Sequence, residues 1–577
     1  MMSINVFLIA ATQLFAPNAF KVYDHENRLT ITAGKEFMGS PCLCVEGPDK
    51  RYNTAWRVVS DRVAVPEGDR SFLLRYDIFA EQYVFAVCAE EEGYNNAIFW
   101  YDGDGKKIAA YPIVFSVPRC DFSPIEVRGA VPDGAKFVAV QLGWDSPKLK
   151  PGDMYAFRNV VFETSRETSA EKVTAKVVKL NVRPDPPVPV REFKVDRLPE
   201  TPKVTLRDDG VTLIDGKPFF PIGIYSIRKN ESNGEDLDRA FRELKEAGFN
   251  FAHSYWHHRD DDFLAAARKY GFKMWHQARW PDQKLIDELR FNPDIIAWYI
   301  GDDTARYNPP WETMGFHRAL KKIDPTRITC QADIVEGSML NDHYRDYVNI
   351  TDVYMPELYS VRGKAGDVTD KTCVAWTVKG MKDVWRDIRL YGDGRPKGCW
   401  PILQCFKGWG MWEHVPSREQ IFATSFAAIA LGANGITWYD YGGSEKSKRE
   451  GFEGMKSTVK MFADMSELAN WIKDLSPVLL ERTPARQPIV DVTAGPARDA
   501  YDNDSVSVLL KRHGGYVYVI AVNSASEPVE AHITVPGAAD GLGSVAREGR
   551  SVTLEHGGFT DRFAHLGFHV YRFSEGK

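Results

Sequence analysis

The chain has 577 residues, too many for one hydrophobic core at about 150 residues per domain, so it is expected to fold in several pieces. Its composition, 44% hydrophobic and 26% charged with 45 Gly and 33 Pro, excludes a disordered or collagen-like chain. A net charge of −6 without any basic block excludes a phosphate-tracking surface, and no nucleic-acid partner is expected.

Residues 6–16 form an apolar run, but no Lys or Arg precedes it and Asn18-Ala19-Phe20 makes a poor cleavage site. Residues 1–19 are read as a signal-like segment or a leading strand, and a secreted or periplasmic location is the expectation. No stretch reaches the roughly 18 apolar residues of a membrane span. From 20 to 165 short alternating runs such as Ser71-Phe72-Leu73-Leu74-Arg75-Tyr76 and Ala97-Ile98-Phe99-Trp100-Tyr101 alternate with turns such as Asp102-Gly103-Asp104-Gly105. That rhythm predicts a β-sandwich, jelly-roll-like. A linker follows over 166–203, where Pro184-Asp185-Pro186-Pro187-Val188-Pro189 is stiff and extended.

Over 204–487 the pattern changes to buried strands alternating with amphipathic helices. Strands are expected at 219–227, 249–256, 273–279, 295–300, 328–335, 353–360, 401–406 and 435–439. Leu237, Ala240, Phe241 and Leu244 share one helical face, and Ser417 is read as the N-cap of an apolar helix. Eight such repeats predict a closed (β/α)8 TIM barrel. Strand rhythm returns over 488–577, with a Gly514-Gly515 hairpin turn, and predicts a small C-terminal β-sandwich. Eight cysteines without CxxC or zinc spacing are read as buried thiols, and no metal or cofactor is expected.

Barrels place reactive groups just past the C-terminal ends of their strands. Those places hold Tyr225; Trp256 and His257; His276 and Gln277; Asp302 and Asp303; Gln331; Glu357 and Tyr359; Gln404 and Trp409; and Trp438 and Asp440. Aromatic faces stack on sugar rings while amides, carboxylates and His bind hydroxyls, so this rim suits a carbohydrate substrate.

Three segments carry a resemblance: Pro218-Phe219-Phe220-Pro221-Ile222-Gly223-Ile224-Tyr225, then Leu244-Lys245-Glu246-Ala247-Gly248-Phe249-Asn250, and then residues 292–303, which end Trp298-Tyr299-Ile300-Gly301-Asp302-Asp303. They look like the retaining glycoside hydrolases with clan A type TIM barrels, and the flanking domains resemble a carbohydrate-binding-module-like jelly roll and a C-terminal β-domain. The resemblance implies hydrolysis of glycosidic bonds in an oligo- or polysaccharide. It gives the general acid/base role, a Glu in that family, to Asp303 with Asp302 beside it. Strand seven, where the family's nucleophilic Glu stands, reads Pro401-Ile402-Leu403-Gln404-Cys405-Phe406 without a carboxylate. Glu357, Glu413 or Asp440 is left as the second catalytic carboxylate. The Asp302-Asp303 pair also resembles substrate-assisted N-acetylhexosaminidases, in which the substrate's acetamido oxygen attacks. Both carboxylates can enter one site only if strand four has ended at Gly301. A third alternative is a carbohydrate-binding protein whose barrel has lost catalysis. The sugar, the linkage and the oligomeric state stay open.

Overall fold

The computed structural model describes the chain from residue 10 to 576, apart from 14–19, 25–29, 48–55, 82–83, 86–95, 114–115, 118, 145–151, 169–172, 185, 189–194, 196, 228–236, 254–260, 279–282, 305–309, 335–344, 346, 364–367, 409–411 and 443–450. It divides into two compact units. One comprises residues up to 188 together with 303–312 and 336–346; the other holds the remainder.

The first unit is an antiparallel β-sandwich of an eight-stranded and a six-stranded sheet. Alternation along the strands sends Leu74, Tyr76 and Ile78 of one sheet and Ile98, Trp100, Val138 and Val140 of the other into a single core. The turn after Ala97–Tyr101 forms because Asp102 Oδ1 accepts from the backbone N–H groups of Asp104 at 3.0 Å and Lys106 at 2.9 Å. Ala10–Gln13, inside the early apolar run, pairs with Val161 to Thr164 as a leading strand. Thr174–Val177 and Asn181–Val182, inside the proline-rich stretch, pair with Cys120–Ala130.

The second unit contains the barrel. Its eight parallel strands are Ile222–Ile224, Phe251–His253, Lys273–Gln277, Ile295–Gly301, Ile328–Ile334, Val353–Leu358, Ile402–Gln404 and Ile436–Tyr439, here strands one to eight. Strand one pairs with strands two and eight and strand five with six, so the sheet closes. Phe251, Trp275, Ala297, Cys330, Val353, Met355 and Ile402 fill its interior. The first barrel strand begins later than the sequence suggests. Lys217–Phe219 instead completes a three-stranded antiparallel meander with Val204–Leu206 and Thr212–Ile214. Pro221 lacks the N–H to carry a continuous strand through this point. Val204, Leu206 and Ile214 of the meander pack into the barrel core.

Seven helices surround the strands among the described residues. Ser417 caps Arg418–Ala430 with a reciprocal Ser417–Gln420 capping box. That helix is buried all round from Gln420 onward, because it lies between strand eight, where Trp438 Nε1 donates to Ser425 Oγ at 3.3 Å, and the C-terminal domain, where Phe426 stacks on Phe568 at 4.4 Å. The C-terminal domain is a sandwich of three-stranded and five-stranded antiparallel sheets around Leu510, Val519, Ile533, Phe559 and Tyr571. Its Gly514-Gly515 turn has φ of 59° and 79°, the left-handed values that a two-residue hairpin requires. The seven described cysteines are buried and none forms a disulfide.

Candidate active site at the C-terminal end of the barrel

Strand four ends at Gly301, so the chain leaves the pleat before Asp302. Tyr299, three residues earlier, donates its hydroxyl to Asp302 Oδ1 at 2.6 Å. Tyr225, just past strand one, donates in turn to the Tyr299 hydroxyl at 2.8 Å. A carboxylate only accepts, so the donor order Tyr225 to Tyr299 to Asp302 is fixed. Burial pushes both phenols well above their ordinary pKa, and the charges of Asp302 and Glu357 push them further. Both hydroxyls therefore keep their protons. Glu357, near the end of strand six, is 7% exposed. Its charge, like that of Asp302, raises the pKa of both phenols.

An aromatic lining surrounds this pair. His253 of strand two lies flat on Trp275 at 5.0 Å, and its ring is 4.6 Å from Tyr225 and 4.7 Å from Tyr299. Tyr439 of strand eight is 5.7 Å from Tyr225 and 5.9 Å from Tyr359. Trp412 continues the wall at 5.7 Å from Tyr359 and donates Nε1 to the Tyr359 carbonyl at 3.3 Å. Flat apolar faces beside a few fixed polar groups are the combination that sugar sites use.

Of the residues picked from the sequence, the structure brings together Tyr225, Asp302, Glu357 and Tyr359. Gln277 is half-buried on the inward face of strand three with Trp275. Asp303 has a left-handed backbone, φ 47°, and begins the stretch grouped with the other unit; the bond from Tyr299 goes to Asp302. Glu413 is exposed. Trp256, His257 and Trp409 lie outside the described residues.

Five positions differ from expectation. Trp438 faces the helices through its bond to Ser425. His276 faces outward too, with its ring against Trp298 at 6.0 Å. Gln331 shares a face of strand five with Thr329, whose hydroxyl meets His317 of the surrounding helix at 2.8 Å, and its Nε2 lies 3.5 Å from Asp333. Gln404 is occupied as a clamp: Oε1 accepts from Val361 N and Nε2 donates to Val361 O, each at 2.9 Å, and Nε2 also donates to Phe406 O. Asp440 is wholly buried beneath Gly454. A Cβ at Gly454 would come within 2.4 Å of Asp440 Oδ1, so only glycine allows that approach. The pleat explains the first three, since neighbours on a strand face opposite ways. The same parity identifies the residues that the sequence search passed over, His253, Tyr299 and Tyr439. Each is an even number of positions from an interior residue of its own strand.

No protein-family sequence pattern and no curated protein sequence matches the chain. Among solved structures it is similar to a glycoside hydrolase at 16% identity and TM-score 0.43, over 65% of this chain and 98% of the other. It is similar to a family 5 glycoside hydrolase from Bacteroides vulgatus at 14% and 0.43, over 65% and 92%. An α-amylase from Geobacillus thermoleovorans matches at 15% and 0.41, over 62% and 99%. The fold rests on the strand pairing itself. The chain is a multidomain TIM-barrel protein with an antiparallel β-sandwich on each side of the barrel in sequence.

Proposed function

We propose that the protein is a glycoside hydrolase whose two working carboxyl groups are Asp302 and Glu357. The observation that carries this reading is the hydrogen-bonded Tyr225–Tyr299–Asp302 chain inside an aromatic wall at the C-terminal end of a barrel, with Glu357 near the end of strand six. One carboxyl protonates the leaving oxygen and the other acts on the anomeric side, as base or nucleophile. Tyr225 and Tyr299 stay protonated and orient Asp302, and Tyr359, Tyr439 and Trp412 stack on the sugar. Glu357 on strand six takes the place of the missing strand-seven Glu, because Gln404 is committed to Val361.

One observation favours a second reading, the substrate-assisted mechanism. Strand four does end at Gly301, so Asp302 and Asp303 are free of the pleat that would send them to opposite faces. In that mechanism the acetamido oxygen of the substrate attacks, and Asp303 or Asp302 supplies the proton.

The test is sugar release from a panel of glycans and aryl glycosides, N-acetylhexosaminides included, by the wild type and by Asp302→Asn, Asp303→Asn and Glu357→Gln. Loss in Asp302→Asn and Glu357→Gln supports the first reading. Turnover restricted to N-acetylhexosaminides and lost in Asp303→Asn supports the second. Glycan binding without product from any member of the panel would make the barrel a binding module and sink both.

A further inference from the structure

At the opposite end of the barrel, against the C-terminal sandwich, lies a cavity of about 190 Å³. Val211, Ile429, Leu479 and Leu509 supply apolar walls, and Lys511 and Trp385 supply polar atoms. Of the other polar groups at the cavity, Asp209 and Asn434 are already engaged. Asp209 takes both forks of Arg207 at 2.7 Å, and Asn434 bonds Cys399 N and Asp209 O at 3.1 Å. Lys511 is different: it is 5% exposed, and its ammonium donates to the Glu481 carbonyl at 2.6 Å. Among the described residues no carboxylate lies within ion-pair distance of it. Trp385 Nε1 is buried and has no hydrogen-bond partner among the described residues. An ammonium whose nearest carboxylates, Asp209 and Glu481, stand beyond ion-pair distance and an indole N–H without an acceptor are both costly to bury, and here they line one cavity.

We propose that this cavity is a binding site for a small aliphatic monocarboxylate, with its oxygens on Lys511 Nζ and Trp385 Nε1 and its hydrocarbon tail against the four aliphatic walls. A neutral alcohol would satisfy the indole but leave the ammonium without an ion pair. Phosphate or a dicarboxylate would set charge against Val211 and Leu509. A cavity of about 150 Å³ accepts benzene, so an acid of four or five carbons fits.

Proton linkage supports the same assignment. Burial lowers Lys511 to about 8, the Arg207 charge lowers it too, and Asp209 and Glu481 act the other way. His513 faces this cluster through Glu481 at 2.8 Å, and Arg482 faces it through Asp208 at 2.6 Å. A bound carboxylate favours the charged amine and raises its pKa. Binding above pH 8 must then take up a proton, so affinity is level below pH 8 and falls as pH rises through it.

The test is calorimetric titration of the whole chain with butyrate in carboxylate-free buffer at pH 7 and pH 9.5, with butan-1-ol as the neutral match. The expected result is one saturable site with a Kd at or below about 10 mM, at least tenfold weaker binding of the alcohol, and weakening of roughly tenfold or more at pH 9.5. Lys511→Met should abolish the site and Trp385→Phe, which keeps the ring and loses the donor, should weaken it severalfold. Equal binding of acid and alcohol would overturn the proposal. So would pH-independent binding, or a butyrate signal that survives both substitutions. If Lys511→Met does not fold, Trp385→Phe and the pH arm decide on their own.

Discussion

The two ends of the barrel bury charge in different ways. At the N-terminal end, Arg327 and Asp324 are both fully buried and pair at 2.5 Å. The Arg327 guanidinium also serves the carbonyls of Ile295, Arg290 and Asn292, and Trp298 Nε1 donates to Asp324 at 2.8 Å. At the C-terminal end, Asp302 accepts from the Tyr299 hydroxyl at 2.6 Å, and Glu357 is buried near the end of strand six. A buried guanidinium–carboxylate pair is costly to break, whereas carboxyl groups at the C-terminal end of a barrel sit where such folds do their chemistry. On the proposed function, the base of the barrel is structure and the rim is chemistry.

Substitutions separate the two. Asp302→Asn or Glu357→Gln should each lower kcat by about a thousandfold or more, roughly 4 kcal/mol or more of barrier, and should leave the denaturation midpoint close to the wild type's. Loss of folding in place of loss of turnover would move these residues to the structural class. At the base, Arg327→Met leaves Asp324 buried without its partner and should cost about 3–5 kcal/mol of stability in urea titration. If that loss proved under 1 kcal/mol, the contrast between the ends would fail.

Much of this was legible in the chain, and the gaps have physical causes. All eight barrel strands could be placed because each is an apolar run bounded by a helix or a turn. The direction of each side chain was harder, because picking residues just past strand ends ignores the pleat. Hence His276 and Trp438 stood in for Trp275 and Tyr439, one residue away. The Gln404 clamp was invisible because Val361, 43 residues away, comes beside it only when strands six and seven pair. The meander strand Lys217–Phe219 merged with strand one because only Pro221 separates two short apolar runs. In the C-terminal sandwich, Gly541–Val545 and Arg550–Leu554 carry no apolar run to mark them, because both are short, partly exposed strands. Tyr299 lay in plain view within the strand-four motif, yet its role follows from the Tyr225 contact across the barrel, which no local pattern contains.

Gln404 offers a finer test of the rim. Gln404→Glu restores the carboxylate that the resemblance puts on strand seven, but it removes the donors to Val361 O and Phe406 O and sets negative charge against both carbonyls. The expected outcome is a loss of about 2 kcal/mol in stability and no gain in kcat on any glycoside that the wild type cleaves. A rise in kcat would show that strand seven still supports the family's chemistry and would displace Glu357 from its proposed role.

The smallest effect is expected from pH at the structural end. His317, between its helix and strand five, bonds Thr329 at 2.8 Å. Burial holds it down to about 4, helped by the charges of Lys321, Arg395 and Lys397 and opposed by Asp352. An unfolded His titrates near 6.5. Between pH 6.5 and 4 the unfolded chain therefore takes up a proton that the native chain refuses, so this group's contribution is complete above pH 6.5 and is lost on acidification. The slope from one such group is at most about 1.4 kcal/mol per pH unit. Asp352 is held below its usual value by Lys321 and His317 against its burial, so its own loss belongs to lower pH, below about 4. Urea titrations at pH 7, 6 and 5 should show the wild type losing stability faster than His317→Gln by up to that slope. Parallel losses in the two proteins would mean that the imidazole already takes up its proton in the native state, and the buried groups at the base of the barrel would then not be held in one state.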